Sequence, residues 1–141
     1  MRIVYGTTPV TSGNFACFID PRFVVSLEVV EFAVKKALKN WNSGKRISKS
    51  LSIEILLYFS ATRQIEIAKK VTAKKKAVAV VIDEEKFSKI GFVEEEFRAE
   101  YDLNAVVELY GITKEELEIV GIEKLPLLVR ERIALFSIFG E

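Results

Sequence analysis

Between Trp41 and Ile67 the chain concentrates side chains suited to holding an anion. Lys45, Arg46, Ser48, Lys49, Ser50 and Ser52 follow one another closely, and Arg63 and Gln64 come after an apolar run. Arginine presents a planar fork that fits phosphate oxygens, while lysine acts as a point charge. Hydroxyls and free backbone N–H groups at the start of a helix near Leu51 would add donors, helped by the helix dipole. Trp41 and Tyr58 can offer faces for stacked bases, each worth about 1–3 kcal/mol. The same residues also have a plain structural reading. Trp41 continues the apolar stripe of its helix, Tyr58 fits a core, and the serines fit helix caps.

Other chemistry is harder to find. The chain has no histidine and one cysteine, Cys17. That removes the Ser-His and Cys-His nucleophile pairs, most zinc chemistry and any internal disulfide. Gly44-Lys45 is not a nucleotide phosphate loop, because Lys39 stands where the first glycine belongs and Arg46 where Ser or Thr must follow. Asp20, Asp83 and Asp102 sit at element boundaries, where caps and turns account for them. Cys17 lies in an apolar run and reads as inert and buried. No catalytic residue, metal site, cofactor or small-molecule substrate is expected.

The elements that position the basic stretch can be read from periodicity. Strands are expected near 2–6, 14–19 and 77–82, the last from the β-branched run AVAVVI. Leu27, Val30, Val34, Ala37, Leu38 and Trp41 recur at helical spacing, predicting a helix over 25–41 capped by Ser26, with a Glu31–Lys35 pair. Asn42-Ser43-Gly44 ends it. A second, almost wholly apolar helix runs from Ser50 or Leu51 to Phe59, and a third from Arg63 to about Val71, capped by Thr62. Further helices are expected over 83–89, over 102–110 up to Gly111, from the Thr113–Glu116 capping box to about Val120, and from Pro126 to about Phe139. Residues 92–101 fit strand or helix. With 141 residues, half of them hydrophobic, this is one α+β domain with a small antiparallel or mixed sheet.

The formal net charge of +1 conceals a division. Residues 35–76 hold twelve Lys and Arg against Glu54 and Glu66, whereas 83–123 hold thirteen acids against Lys86, Lys89, Arg98 and Lys114. A polyanion-binding side and an acidic side are one reading, and two solvated faces that partly neutralise each other are another. Lys74-Lys75-Lys76 reads as a solvated turn before a strand, with electrostatic steering as a secondary role. The last helix, LPLLVRERIALFSIFGE, is apolar nearly all round. Residues 128, 135 and 139 share one side, and 127, 134 and 138 another. Such a helix is either a central core element or a docking surface left partly open for a partner.

Gly44-Lys45-Arg46-Ile47-Ser48-Lys49-Ser50-Leu51-Ser52-Ile53-Glu54-Ile55-Leu56-Leu57-Tyr58, then Arg63-Gln64-Ile65, and Glu131-Arg132-Ile133-Ala134-Leu135 near the end, resemble the small accessory subunit of KEOPS. That is the family of the human PRPK-binding protein, here in its archaeal form, and the likeness spans most of the chain. Ala61 stands where the family pattern has glycine, and Thr72-Ala73-Lys74-Lys75-Lys76 replaces a glycine-containing turn. The resemblance implies a non-catalytic, cytoplasmic subunit of the complex that makes threonylcarbamoyladenosine on tRNA. It would bind the small kinase-like ATPase subunit and the single-stranded 3′ CCA end of tRNA. On this reading Lys45, Arg46, Lys49, Ser50, Arg63 and Gln64 contact tRNA, and Leu128, Arg132, Leu135 and Phe139 contact the kinase. A protein-only adaptor whose basic half complements an acidic partner is the alternative, and a small enzyme on a phosphorylated metabolite is a third.

Overall fold

The computed structural model describes residues 1–139. Four strands form one antiparallel sheet: β1 (Arg2–Thr7), β2 (Ala16–Ile19), β3 (Lys76–Val81) and β4 (Val93–Glu95), in the order β2-β3-β1-β4. Both faces of this sheet are covered, which explains why β2 and β3 read as unbroken apolar runs instead of alternating ones. On one face Tyr5, Cys17, Ile19, Val78 and Val80 join the main core. On the other, Val4, Phe18, Ala77, Ala79 and Val81 meet Phe87, with Phe15 and Phe92 at the margin.

Seven α-helices are found among the described residues: α1 (Leu27–Asn42), α2 (Leu51–Ser60), α3 (Ile65–Lys69), α4 (Glu84–Ser88), α5 (Leu103–Tyr110), α6 (Lys114–Val120) and α7 (Leu125–Phe139). Caps form at α1, α4, α5 and α6, while Ser50 precedes α2 without a side-chain capping bond. Ser26 accepts from the Val29 N–H, Asp83 from that of Lys86, and Asp102 from that of Ala105. Thr113 and Glu116 form the reciprocal capping box. Gly111 ends α5 at φ 62°, a left-handed position that glycine occupies without steric cost. The Glu31–Lys35 pair forms at 3.0 Å.

The sequence reading needs three adjustments. The third helix is a short piece, Ile65–Lys69, and Thr62 does not cap it: its hydroxyl accepts from the Gln64 N–H, building a turn ahead of the helix. The segment left open between strand and helix contributes β4, which pairs with β1 through Tyr5↔Glu95, Gly6↔Glu94 and Thr7↔Val93. β2 begins at Ala16, after a turn at residues 13–15. Gly6 permits the close approach of β4, since a Cβ there would run into the Val93 carbonyl.

α2 is the hub. Ile55, Leu56, Leu57, Tyr58 and Phe59 are all buried, and the helix packs on α1, α3, α7 and β2. Fully burying each such side chain contributes about 1.5–3 kcal/mol, so α2 is held by its tertiary contacts on every side. Both ends of this rigid element carry the chemistry of interest: the basic loop at its N-terminus, and Ala61 with Arg63 after its C-terminus.

Candidate functional site

The loop between α1 and α2, residues 43–50, carries Lys45, Arg46 and Lys49, all exposed. Its shape is set from inside by Glu54, which lies one turn into α2 and has no exposed surface. The Glu54 carboxylate accepts from the N–H groups of Ile47 (3.0 Å) and Ser48 (2.8 Å) and from the Ser48 hydroxyl (2.9 Å). The chain thus holds its own carboxylate inside the loop, against N–H groups that precede the start of α2. Those two N–H groups and that hydroxyl are thereby taken up internally, while Lys45, Arg46 and Lys49 stay exposed. A lone carboxylate within an apolar helix was the available signal, since a buried charge needs nearby donors.

The remaining predicted residues divide. Ser50 Oγ donates to Asn14 Oδ1 at 3.1 Å and lies 2.8 Å from Ser52 Oγ, which joins the loop to the turn before β2. Arg46 is drawn back onto Trp41: its guanidinium carbon is 3.9 Å from the indole centroid, and Nε donates to the Trp41 carbonyl. That face of Trp41 is therefore covered by a cation, and the indole is half-buried. Tyr58 is not a stacking platform. It is buried, its hydroxyl accepts from Asn40 Nδ2, and its ring meets Phe136 edge-on at 5.2 Å. Gln64 is exposed beside Arg63.

Lys45 and Arg63 come together in space, although eighteen positions separate them in the chain. They line one cavity of about 250 Å³ with Asn40, Tyr58, Phe136 and Ile138. The basic loop and the end of α7 therefore share a wall.

α7 has an inner and an outer side. Leu125, Val129 and Ile133 are buried in the core, and Leu128 is packed within it at 9 % exposure. Arg132 is committed to its own fold: its guanidinium holds Glu116 at 2.7 Å and donates to the carbonyls of Tyr110 and Gly111. The Arg132 hydrogen bond pulls the Glu116 carboxyl below the usual carboxylate range, aided by the Thr113 N–H. Leu135 and Phe139 are exposed, at 46 % and 70 %. Leu127 and Ile138, which the sequence placed on the other side of the helix, are as open, at 60 % and 67 %. At about 100° per residue, Leu127 and Ile138 mark the middle of the outward face and Leu135 its shoulder.

Burial pushes the Cys17 thiol far up, which disfavours the reactive thiolate. Among the described residues no group of His, Cys, Asp or Glu is placed to hold a metal ion, and no helix is long and apolar enough to cross a membrane. Lys76 is tied to Glu95 and stands over Tyr5, leaving Lys74 and Lys75 as the solvated part of the lysine run.

A comparison with protein families matches residues 8–136 to the model described as kinase binding protein CGI-121. No curated protein matches the chain in a direct sequence search.

Proposed function

Because the chain belongs to the kinase binding protein CGI-121 family, we propose that it is the non-catalytic subunit of a KEOPS-type tRNA-modifying assembly, docking on the small kinase-like ATPase subunit and taking up the 3′ CCA end of tRNA. The observation that carries the docking half is the outward face of α7. Leu127, Leu135, Ile138 and Phe139 leave a run of large apolar side chains in water, and such a patch marks an interaction surface. Docking centres on these residues. Leu128 and Arg132 support the helix from within and act through its placement.

The RNA half is supported by the convergence of Lys45 and Arg63 on one cavity, with Lys49, Arg46 and Gln64 exposed nearby. Cations on mobile stems beside apolar side chains suit a flexible single strand, whose phosphates and bases need both. Ser50, hydrogen-bonded to Asn14, shapes the loop. A second reading, a protein-only adaptor, draws on the Glu54 contacts, which withdraw two backbone N–H groups from any phosphate.

Titrations of the purified chain against tRNA and against its cognate kinase subunit separate these readings. Lys45→Glu combined with Lys49→Glu is expected to lower tRNA affinity at least about tenfold and to reduce its salt dependence, because each lost phosphate contact releases fewer counterions. Trimming the CCA end should weaken binding to the same degree. Leu135→Glu should remove kinase association and spare tRNA. Equal affinity for trimmed and intact tRNA refutes the CCA proposal. Kinase binding with no tRNA binding at low salt establishes the adaptor instead.

A further inference from the structure

Beside the outward face of α7 lies a groove of about 420 Å³ between α1 and α7 that the reading above does not use. Phe32, Lys36 and Lys39 follow one another along α1 at helical spacing, and Arg130 reaches across from α7. The Arg130 guanidinium carbon stands 4.5 Å from the centre of the Phe32 ring, and Lys36 Nζ stands 5.3 Å from it. Lys35, also on the groove, is neutralised by Glu31. Lys36, Lys39 and Arg130 have no carboxylate within ion-pairing distance among the described residues. Three cations thus line one groove from two helices, none of them in an ion pair among the described residues.

Their position relative to the docking face gives them a role. Arg130 is one helical turn from Leu127 and one from Ala134. A partner seated on Leu127 and Ile138 therefore has this groove at its edge, on the flank of α7 away from Leu135 and Phe139. Resting on the kinase-docking reading, we propose that the kinase subunit meets α7 with an apolar strip flanked by acidic side chains, and that these acids pair with Lys36, Lys39 and Arg130.

The groove suits acidic protein side chains better than RNA. Glu28 lines the same groove, outside any ion pair among the described residues, and would repel an evenly charged phosphate chain, whereas single carboxylates can be set opposite single cations. The Phe32 ring, the one aromatic surface present, is already covered by Arg130 and offers no free platform for a base. The opposite flank of α7 differs in kind, since there Arg132 is neutralised by Glu116. The docking face is cationic on one side only, which fixes the direction in which an asymmetric partner lies across it.

The test measures binding of the cognate kinase subunit to the full chain by calorimetry at about 50 mM and about 300 mM salt, where screening of exposed charges differs strongly. Lys36→Glu with Lys39→Glu, and separately Arg130→Glu, are expected to weaken binding about tenfold at the lower salt and to abolish most of its salt dependence. Leu135→Glu should remove binding at both salts. Thermal melts matching the unaltered chain show that the variants are folded. The inference is overturned if the charge variants bind the kinase as tightly as the unaltered chain at both salts, in which case docking by α7 still stands. It is also overturned if they lose tRNA affinity and keep kinase affinity, which makes the groove an RNA surface. An unaltered chain with no affinity for the kinase refutes the docking reading itself.

Discussion

Replacing Glu54 with glutamine tests whether an internal carboxylate builds the basic loop. The side chain has no exposed surface and accepts three contacts: two from the N–H groups of Ile47 and Ser48, one from the Ser48 hydroxyl. Glutamine keeps the volume and one acceptor oxygen, but its NH₂ must then face donors. Hydrogen bonds to a charged acceptor contribute about 1.5–3 kcal/mol each, neutral ones about 0.5–1.5. Two contacts weakened to neutral strength, by about 1 kcal/mol each, and one buried N–H left unpaired, at about 1–3 kcal/mol, give a loss of about 3–4 kcal/mol. At about 2.1 cal/mol/K per residue, a chain of this length has an unfolding entropy near 0.3 kcal/mol/K, so Tm should fall by about 10 °C. Urea denaturation followed by circular dichroism measures the loss. Amide hydrogen exchange locates it, because protection should drop first at Ile47 and Ser48. Loosening of residues 43–50 should also weaken tRNA binding while kinase binding by α7 persists. A variant within about 0.5 kcal/mol of the unaltered chain, with unchanged protection at those two amides, refutes the reasoning.

Two further outcomes follow from local geometry. Ala61 ends α2 at φ 52°, the one non-glycine residue at positive φ among the described residues. An L-residue there costs about 1–2 kcal/mol, part of which glycine returns as unfolded-state entropy, so Ala61→Gly should raise stability by about 0.5–1 kcal/mol in a urea titration. A destabilised variant would show that the left-handed turn is held without strain. The second concerns pH. The Arg132 hydrogen bond lowers the Glu116 carboxyl in the fold, so the unfolded chain binds its proton first as pH falls. The pair's contribution is present above the ordinary Glu value of about 4.3 and is lost as pH drops through the lower folded value. Glu116→Gln should therefore leave a stability–pH profile less steep on the acid side, with the two curves converging at the lowest pH. Parallel profiles would mean the pair does not titrate with folding.

The sequence by itself determined the elements and the class of fold. Hydrophobic periodicity places α1, apolar runs place α2 and α7, and capping residues place the starts of α1, α4, α5 and α6, because these signals act over one or two helical turns and need no distant contact. The same locality made the basic loop, the buried Cys17 and the Gly111 stop legible. It failed where a distant partner decides. Residues 93–95 are a strand because Gly6 lets them lie against β1, and Thr62 builds a turn because α3 is cut short. Amphipathicity showed that α7 has sides, but not which side its own chain covers. Packing against the core buries Leu128, and the Glu116 pair engages Arg132, while Leu127 and Ile138 face water. Only the tertiary structure turned Glu54 inward to take the loop's N–H groups, and only it brought Lys45 to Arg63. Charges and donors are visible in a sequence, but which of them the fold consumes for itself depends on what lies opposite in space.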